Sequence, residues 1–195
     1  VPRITLIPEE NVNVDEIKLE ATKTLGGANI TIAGNRIMER DDLAMVSVAT
    51  PLGGDAALKR ALKAGHGLAM PSATCSTTSK NGMRAVNTAQ DQILLVFART
   101  TPDAEHHVRI GLEETGYTTD QTDSLLATEI SGPETMAAME RLCPLDLHPN
   151  NFRTDMAGRT VMEHMAATII CLAGSHFLLL AVSSSGISFL HAIET

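Results

Sequence analysis

Aromatic side chains are scarce in this chain of 195 residues: four Phe, one Tyr and no Trp, 3% in all. A platform that stacks bases or sugars needs exposed rings. Here Phe97, Phe177 and Phe189 sit in apolar runs that read as core. Basic charge is also short, with 15 Lys and Arg against 23 Asp and Glu, a formal charge of −8. A protein that tracks phosphates needs a basic face from which counterions are released. The nearest approach to one is Lys59, Arg60 and Lys63, the solvated face of one predicted helix. These shortages argue against nucleic acid and anionic membrane as partners.

Long apolar runs are missing too. The longest, 166–173 and 177–182, fall far short of the roughly 20 residues that span a bilayer. No charged segment followed by an apolar one opens the chain, as a secretory leader requires. The sequence begins at Val1 rather than Met, so a trimmed or processed N-terminus is expected. Only three cysteines occur, Cys75, Cys143 and Cys171. An odd count without a close pair argues against a disulfide framework and fits the reducing cytoplasm.

What is present is ordinary globular composition, 44% hydrophobic and 19% charged. At roughly 100–200 residues per domain this is one domain or two small ones. Residues 2–8 read as an extended arm bounded by Pro2 and Pro8. A helix follows, capped by Asn13 or Asp15, with Val14, Ile17, Ala21 and Leu25 on one face and Gly26-Gly27 as its stop. Residues 28–33 alternate as a strand, with Gly34-Asn35 as the turn after it.

The rest of the chain carries an internal repeat. The first copy runs over about 43–117 and the second over about 125–195. Each opens with a strand ending before a proline, 43–50 before Pro51 and 125–132 before Pro133. Each continues with a helix, on Ala57, Leu58, Ala61 and Leu62, then on Met136, Met139 and Leu142. An irregular polar connection follows, 65–80 or 144–155. Two strands come next, 82–88 and 93–98, then 160–172 and 176–183. A final helix closes each copy: 103–115 with Ala104, Val108 and Leu112 aligned, and 185–194 with Ile187, Leu190 and Ile193 aligned. The order β-α-β-β-α thus appears twice. A unit of about 75 residues buries only a modest core alone, so the two should pack together as an α+β protein with pseudo-twofold character. The expected divisions are 1–40 (arm, helix and strand), 41–120 (first repeat) and 121–195 (second repeat).

No residue set in this pattern assembles an active site. Gly65-His66-Gly67 begins a glycine fingerprint, but Met70 stands where a third glycine is needed, and Gly65 reads as a helix C-cap. Cys143 and His148 lack a second ligand pair for a metal, and Cys143 reads as a small buried hydrophobe. Ser183-Ser184-Ser185-Gly186 lacks a nucleophile elbow and reads as a serine N-cap. The Ser- and Thr-rich stretch 72–79 suits a loop that bonds its own backbone. Glu163 and His164 fall in a predicted strand and so point to opposite sides. Arg159 and Asp155 are expected to form a structural ion pair, and Asp41-Asp42 and Glu113-Glu114 to be solvated surface. Met136, Met139, Met156, Met162 and Met165 suit core gaps or protein contacts. The residues alone point to a soluble interaction or binding module.

Longer strings carry a resemblance. Ile130-Ser131-Gly132-Pro133-Glu134-Thr135, then Cys143-Pro144-Leu145-Asp146-Leu147-His148-Pro149, Phe152 and Arg159-Thr160-Val161-Met162-Glu163-His164 resemble the gamma subunits of heterotetrameric sarcosine oxidases. Phe177-Leu178-Leu179-Leu180 and Phe189-Leu190-His191 fit the same pattern. The layout is also similar to the folate-binding domains of the glycine-cleavage aminomethyltransferase, built from related β-α-β-β-α modules. The resemblance implies a small, non-catalytic, structural subunit beside alpha, beta and delta subunits. Their complex, an oxidoreductase acting on CH–NH donors with oxygen as acceptor, converts sarcosine to glycine and hydrogen peroxide and passes the one-carbon unit to tetrahydrofolate. It further implies that FAD, FMN, NAD, zinc and tetrahydrofolate sit on the partner subunits, and that this chain holds no catalytic, cofactor-binding or metal residues. Two alternatives stay open: a folate-dependent aminomethyltransferase-like protein, and a small-molecule-binding regulatory domain of paired βαββα type.

Overall fold

The computed structural model describes residues 22–194. The predicted arm at 2–8 and most of the predicted helix after Asn13 lie outside those residues. The described end of that helix span, 22–25, is not helical, and 24–27 form a turn. Gly26 and Gly27 both take left-handed φ, 66° and 78°. The Glu39 carboxylate accepts the N–H groups of Leu25 (3.0 Å) and Gly27 (2.7 Å) and so ties the turn down.

Strand β1 (Asn29–Ile32) and strand β2 (Asn35–Glu39) then form an antiparallel hairpin. Its two-residue turn is Ala33-Gly34, both at positive φ (48° and 82°), which matches the twist of the flanking strands. The turn therefore falls one residue earlier than predicted.

The chain continues through β3 (Leu43–Ala49), α1 (Asp55–His66), β4 (Ser76–Thr78), β5 (Arg84–Ala89), β6 (Gln92–Ala98), α2 (Ala104–Gly111) and β7 (Tyr117–Asp120). It then runs through β8 (Leu125–Ser131), α3 (Thr135–Leu142), β9 (Ala157–Met162), β10 (Met165–Ala173) and β11 (His176–Val182). A 3-10 turn (Ser183–Ser185) leads into α4 (Gly186–Glu194). Each half thus has three strands between its helices, not the two predicted. The expected strand 160–172 is a hairpin, broken where Glu163 and His164 both take positive φ (44° and 70°). These two residues therefore form a turn and do not face opposite sides of a strand.

Other expectations shift by a turn or a partner. Helix α1 is capped by Gly67 (φ 67°), whose N–H reaches Leu62 and Lys63, while Gly65 lies inside the helix. Asp155 pairs with Arg84 at 2.5 Å, not with Arg159. Asp41 and Asp42 are exposed as expected and also form ion pairs, with Lys23 and Arg40 respectively, each at 2.7 Å. Ser183 Oγ donates to the Asp123 carbonyl (2.9 Å) rather than capping the helix. Ile187 is 78% exposed, while α4 buries the expected Ile193 together with Phe189.

The strands form two fully antiparallel sheets, ordered β4-β5-β6-β3-β7 and β1-β2-β8-β11-β10-β9. Residues alternate strictly between two sides. In β6, Ile93, Leu95 and Phe97 meet Leu58, Leu62, Val108 and Leu112 of the α1–α2 side. In β11, Phe177 and Leu179 meet Met139, Phe189 and Ile193 of the α3–α4 side. The intervening Leu94 and Val96 meet Leu178 and Leu180 between the sheets. The result is four layers: helices, sheet, sheet, helices. Because both faces of each sheet are covered, β6 and β11 read as continuous apolar runs. The five methionines singled out in the second half all join the α3–α4 core.

Two further features bind the halves together. The edges meet at a bridge between Cys75 and Met156, flanked by Ser76 N–H to Asp155 O (2.6 Å) and Ala157 N–H to Thr74 O (2.9 Å). At the other end the lead strands cross over. β2 precedes β3 in sequence but pairs with β8, while β7 precedes β8 but pairs with β3.

Helices α1 and α2 cross at Gly65 and Gly111. A methyl group on Gly65 would lie 1.9 Å from the Gly111 carbonyl oxygen. In an open helix Gly→Ala stabilises by about 1 kcal/mol. Here Gly65→Ala is expected to destabilise by about 2 kcal/mol or more, read as a lower urea midpoint at unchanged slope. A stabilised variant would show that the helices do not touch there.

His66 is buried at the same crossing, with Nε2–H donating to Val108 O at 3.2 Å. Burial pushes its pKa below the ordinary histidine value. The unfolded chain takes up a proton near pH 6.5 and the folded chain does so only at lower pH. The stabilisation is therefore full above the unfolded pKa and lost as pH falls below it. The melting temperature should drop on acidification from about pH 7 to about pH 5.5, and the slope should flatten in His66→Gln. An identical slope in the variant would assign the pH dependence elsewhere.

Candidate functional site

The densest polar network of the described residues lies where the inter-sheet layer ends. Glu129 shares a side of β8 with Ala127, and His176 shares a side of β11 with Leu178, both members of that layer. One Glu129 oxygen accepts from His176 Nε2 at 2.5 Å, and the other accepts from Arg40 Nη1. Arg40 follows β2 and grips Asp42 with two bonds, Nε to Oδ1 (2.7 Å) and Nη2 to Oδ2 (2.8 Å). The hydrogen bond from Arg40 holds the Asp42 carboxyl below the usual range, and the bond to Asp42 pushes the Arg40 guanidinium further up. Chemically this is a Glu–His dyad without a nucleophile. Among the described residues no hydroxyl or thiol bonds to the His176 ring. The network acts as a strut joining β2, β8 and β11.

The residues flagged in the sequence fall mostly into structural roles. Gly65-His66-Gly67 forms the end of helix α1 and its C-cap. In the segment from Cys143 to Pro149, Cys143 and Leu147 are buried (6% and 0% exposed). Asp146 closes the turn by accepting from His148 N–H (3.0 Å) and Asn151 Nδ2 (2.5 Å). Burial pushes the thiols of Cys143 and Cys171 up, away from reactivity. Among the described residues no group of three or more His, Cys, Asp or Glu could hold a metal ion. The 72–79 loop bonds backbone, with Thr77 Oγ1 to Ala69 O (2.6 Å), Ser76 Oγ to Asp155 O (3.0 Å) and Ser79 Oγ to Met83 O (3.1 Å).

Concave surface lies beside the Arg40 network, in a cavity of about 450 Å3 lined by Glu39, Arg40, Asp41 and Arg99 among others, and around α3 and α4. A cavity of about 580 Å3 lies between these helices and the β9–β10 turn, lined by Arg141, Leu142, Glu163, Met165, His191 and Ile193 among others. A second, of about 450 Å3, lies toward the β1–β2 hairpin and shares Ala138, Arg141 and Ile193 with the first. Glu163 and His191 were not paired by sequence reasoning, because the turn that brings Glu163 to the helices was read as strand. Among the described residues no helix is long and apolar enough to cross a membrane.

With this architecture in view, the chain compares closely with solved structures. It superposes on a chain of the heterotetrameric sarcosine oxidase from Corynebacterium sp. U-96, in complex with pyrrole 2-carboxylate, with a TM-score of 0.72. The match covers 85% of each chain at 20% identity. The fold is shared with that oxidase. It is also similar to the glycine cleavage system aminomethyltransferase T of Bartonella henselae, with a TM-score of 0.58 and 11% identity. That match covers 84% of this chain but only 46% of the aminomethyltransferase, so the chain spans about half of that protein. No family profile and no curated protein matches the sequence.

The strut has a measurable consequence. Glu129→Leu leaves Arg40 and His176 without their shared carboxylate and should cost about 2 kcal/mol in urea unfolding, the range for hydrogen bonds to charged groups. Glu129→Gln should cost less. A change below about 0.5 kcal/mol for the Leu variant would reduce the network to a surface ion pair.

Proposed function

We propose that this chain is the small, gamma-type structural subunit of a heterotetrameric sarcosine oxidase. In this reading it stands beside alpha, beta and delta chains in the cytoplasm and carries no catalytic residue. The flavins, NAD, zinc and tetrahydrofolate belong to those partners. The complex oxidises sarcosine to glycine and hydrogen peroxide and hands the one-carbon unit to tetrahydrofolate. The observation that carries the reading is the two-way match, a likeness in fold that extends over 85% of this chain and 85% of the oxidase chain. The internal use of the polar groups supports it, since Glu129, Arg40, Asp42 and His176 are consumed in holding strands together.

The same proposal reads the two halves as copies of one β-α-β-β-β-α unit with exchanged lead strands. The two sheets support this by their matching order, and β3 and β8 by the same succession of buried and exposed residues. β6 and β11 match in the same way. The aminomethyltransferase reading is weaker, because the likeness leaves more than half of that protein without a counterpart here.

Co-expression with candidate alpha, beta and delta chains tests the assignment. The expected result is a single size-exclusion peak containing this chain and showing flavin absorbance. Elution of this chain alone, colourless and monodisperse, with the flavin in a separate peak, would contradict it.

A further inference from the structure

We infer that the cavity between α3, α4 and the β9–β10 turn binds a free α-amino acid with an apolar side chain. Its volume of about 580 Å3 lies within the range of small-molecule sites. Leu142, Met165, Ala138 and Ile193 supply apolar wall, and Ser188 adds a hydroxyl.

Two charges of opposite sign face this space. Arg141 stands in the last turn of α3, and Glu163 stands in the hairpin turn. Neither makes an ion pair or side-chain hydrogen bond with any described residue, whereas the carboxylates of Glu39, Asp42 and Glu129 are all engaged. The guanidinium offers a fork of N–H donors and the carboxylate offers acceptor oxygens only. A simple organic anion would gain from Arg141 and lose to Glu163. A simple amine would do the reverse. A zwitterion satisfies both, its carboxylate toward the guanidinium and its ammonium toward Glu163. The apolar wall then selects for a hydrocarbon or thioether side chain.

The turn fixes where Glu163 stands. A two-residue turn with both residues at positive φ is made most cheaply by Asn-Gly. Here it is Glu163-His164, neither of them Asn or Gly. The hairpin turn carries Glu163 to the rim of the cavity.

Titration calorimetry on the full chain tests the site with L-leucine, L-methionine and L-phenylalanine as probes. N-acetyl-L-leucine, which lacks the ammonium, and L-leucinamide, which lacks the carboxylate, are the controls. At least one of the three amino acids should bind, and each control should bind at least tenfold more weakly than leucine or its better-binding relative. Arg141→Gln should abolish amino-acid binding. Glu163→Gln should weaken it and narrow the gap to the N-acetyl control. Both residues lie at the surface, so circular dichroism should report an unchanged fold. No binding of any amino acid at millimolar concentration would overturn the assignment. So would equal binding of the controls, or variants that bind like the parent.

Discussion

Met45, Val86, Leu94 and Val96 on one sheet meet Ala127, Ala157, Ile170, Leu178 and Leu180 on the other in a layer that contains no helix. Every other feature of the molecule follows from keeping that layer dry. Each sheet must be apolar on both sides, because its opposite side is already committed to a helix pair. Neither sheet can keep one face in water, as a lone antiparallel sheet does. The lead strands cross between halves, so β2 and β7 extend the sheet of the opposite half. The Cys75–Met156 bridge closes the remaining gap at the sheet edges. Where the layer runs out, the charge network of Glu129, His176, Arg40 and Asp42 takes over.

The central strands were legible in the sequence because burial on two faces leaves an unbroken apolar run. β3, β6, β8 and β11 fall within a residue or so of where such runs predict them. Helix α1 was legible from the spacing of Leu58, Ala61 and Leu62, all buried. The short strands were not. β4 is three residues of Ser and Thr, and β7 is Tyr117–Asp120 with mostly exposed side chains, so neither carries an apolar signal. β2 alternates correctly at Asn35, Ile37 and Glu39, but two of those three buried residues are polar, which hid the pattern. The Glu163-His164 turn was hidden because it uses neither glycine nor asparagine.

The polar network was only half visible. Glu129 is a charged residue in an otherwise uncharged strand, and that was a signal available in the sequence. Its partners were not, since Arg40 and His176 lie 89 and 47 positions away. The segment from Cys143 to Pro149 shows the converse. It stands out in the sequence, yet its residues close a turn and fill the α3–α4 core. Distinctive strings and functional chemistry therefore part company in this chain, and the concave surface of α3 and α4 is read from shape and charge alone.

Native-state hydrogen exchange measures the central claim, that the shared inter-sheet layer makes both halves one cooperative unit. The amides of β3 and β6 in one sheet and of β8 and β11 in the other should exchange only through global unfolding. Their opening free energies should coincide and fall together with added denaturant. If one sheet instead opened at distinctly lower free energy while the other stayed protected, the layer between them would not be what holds the molecule together.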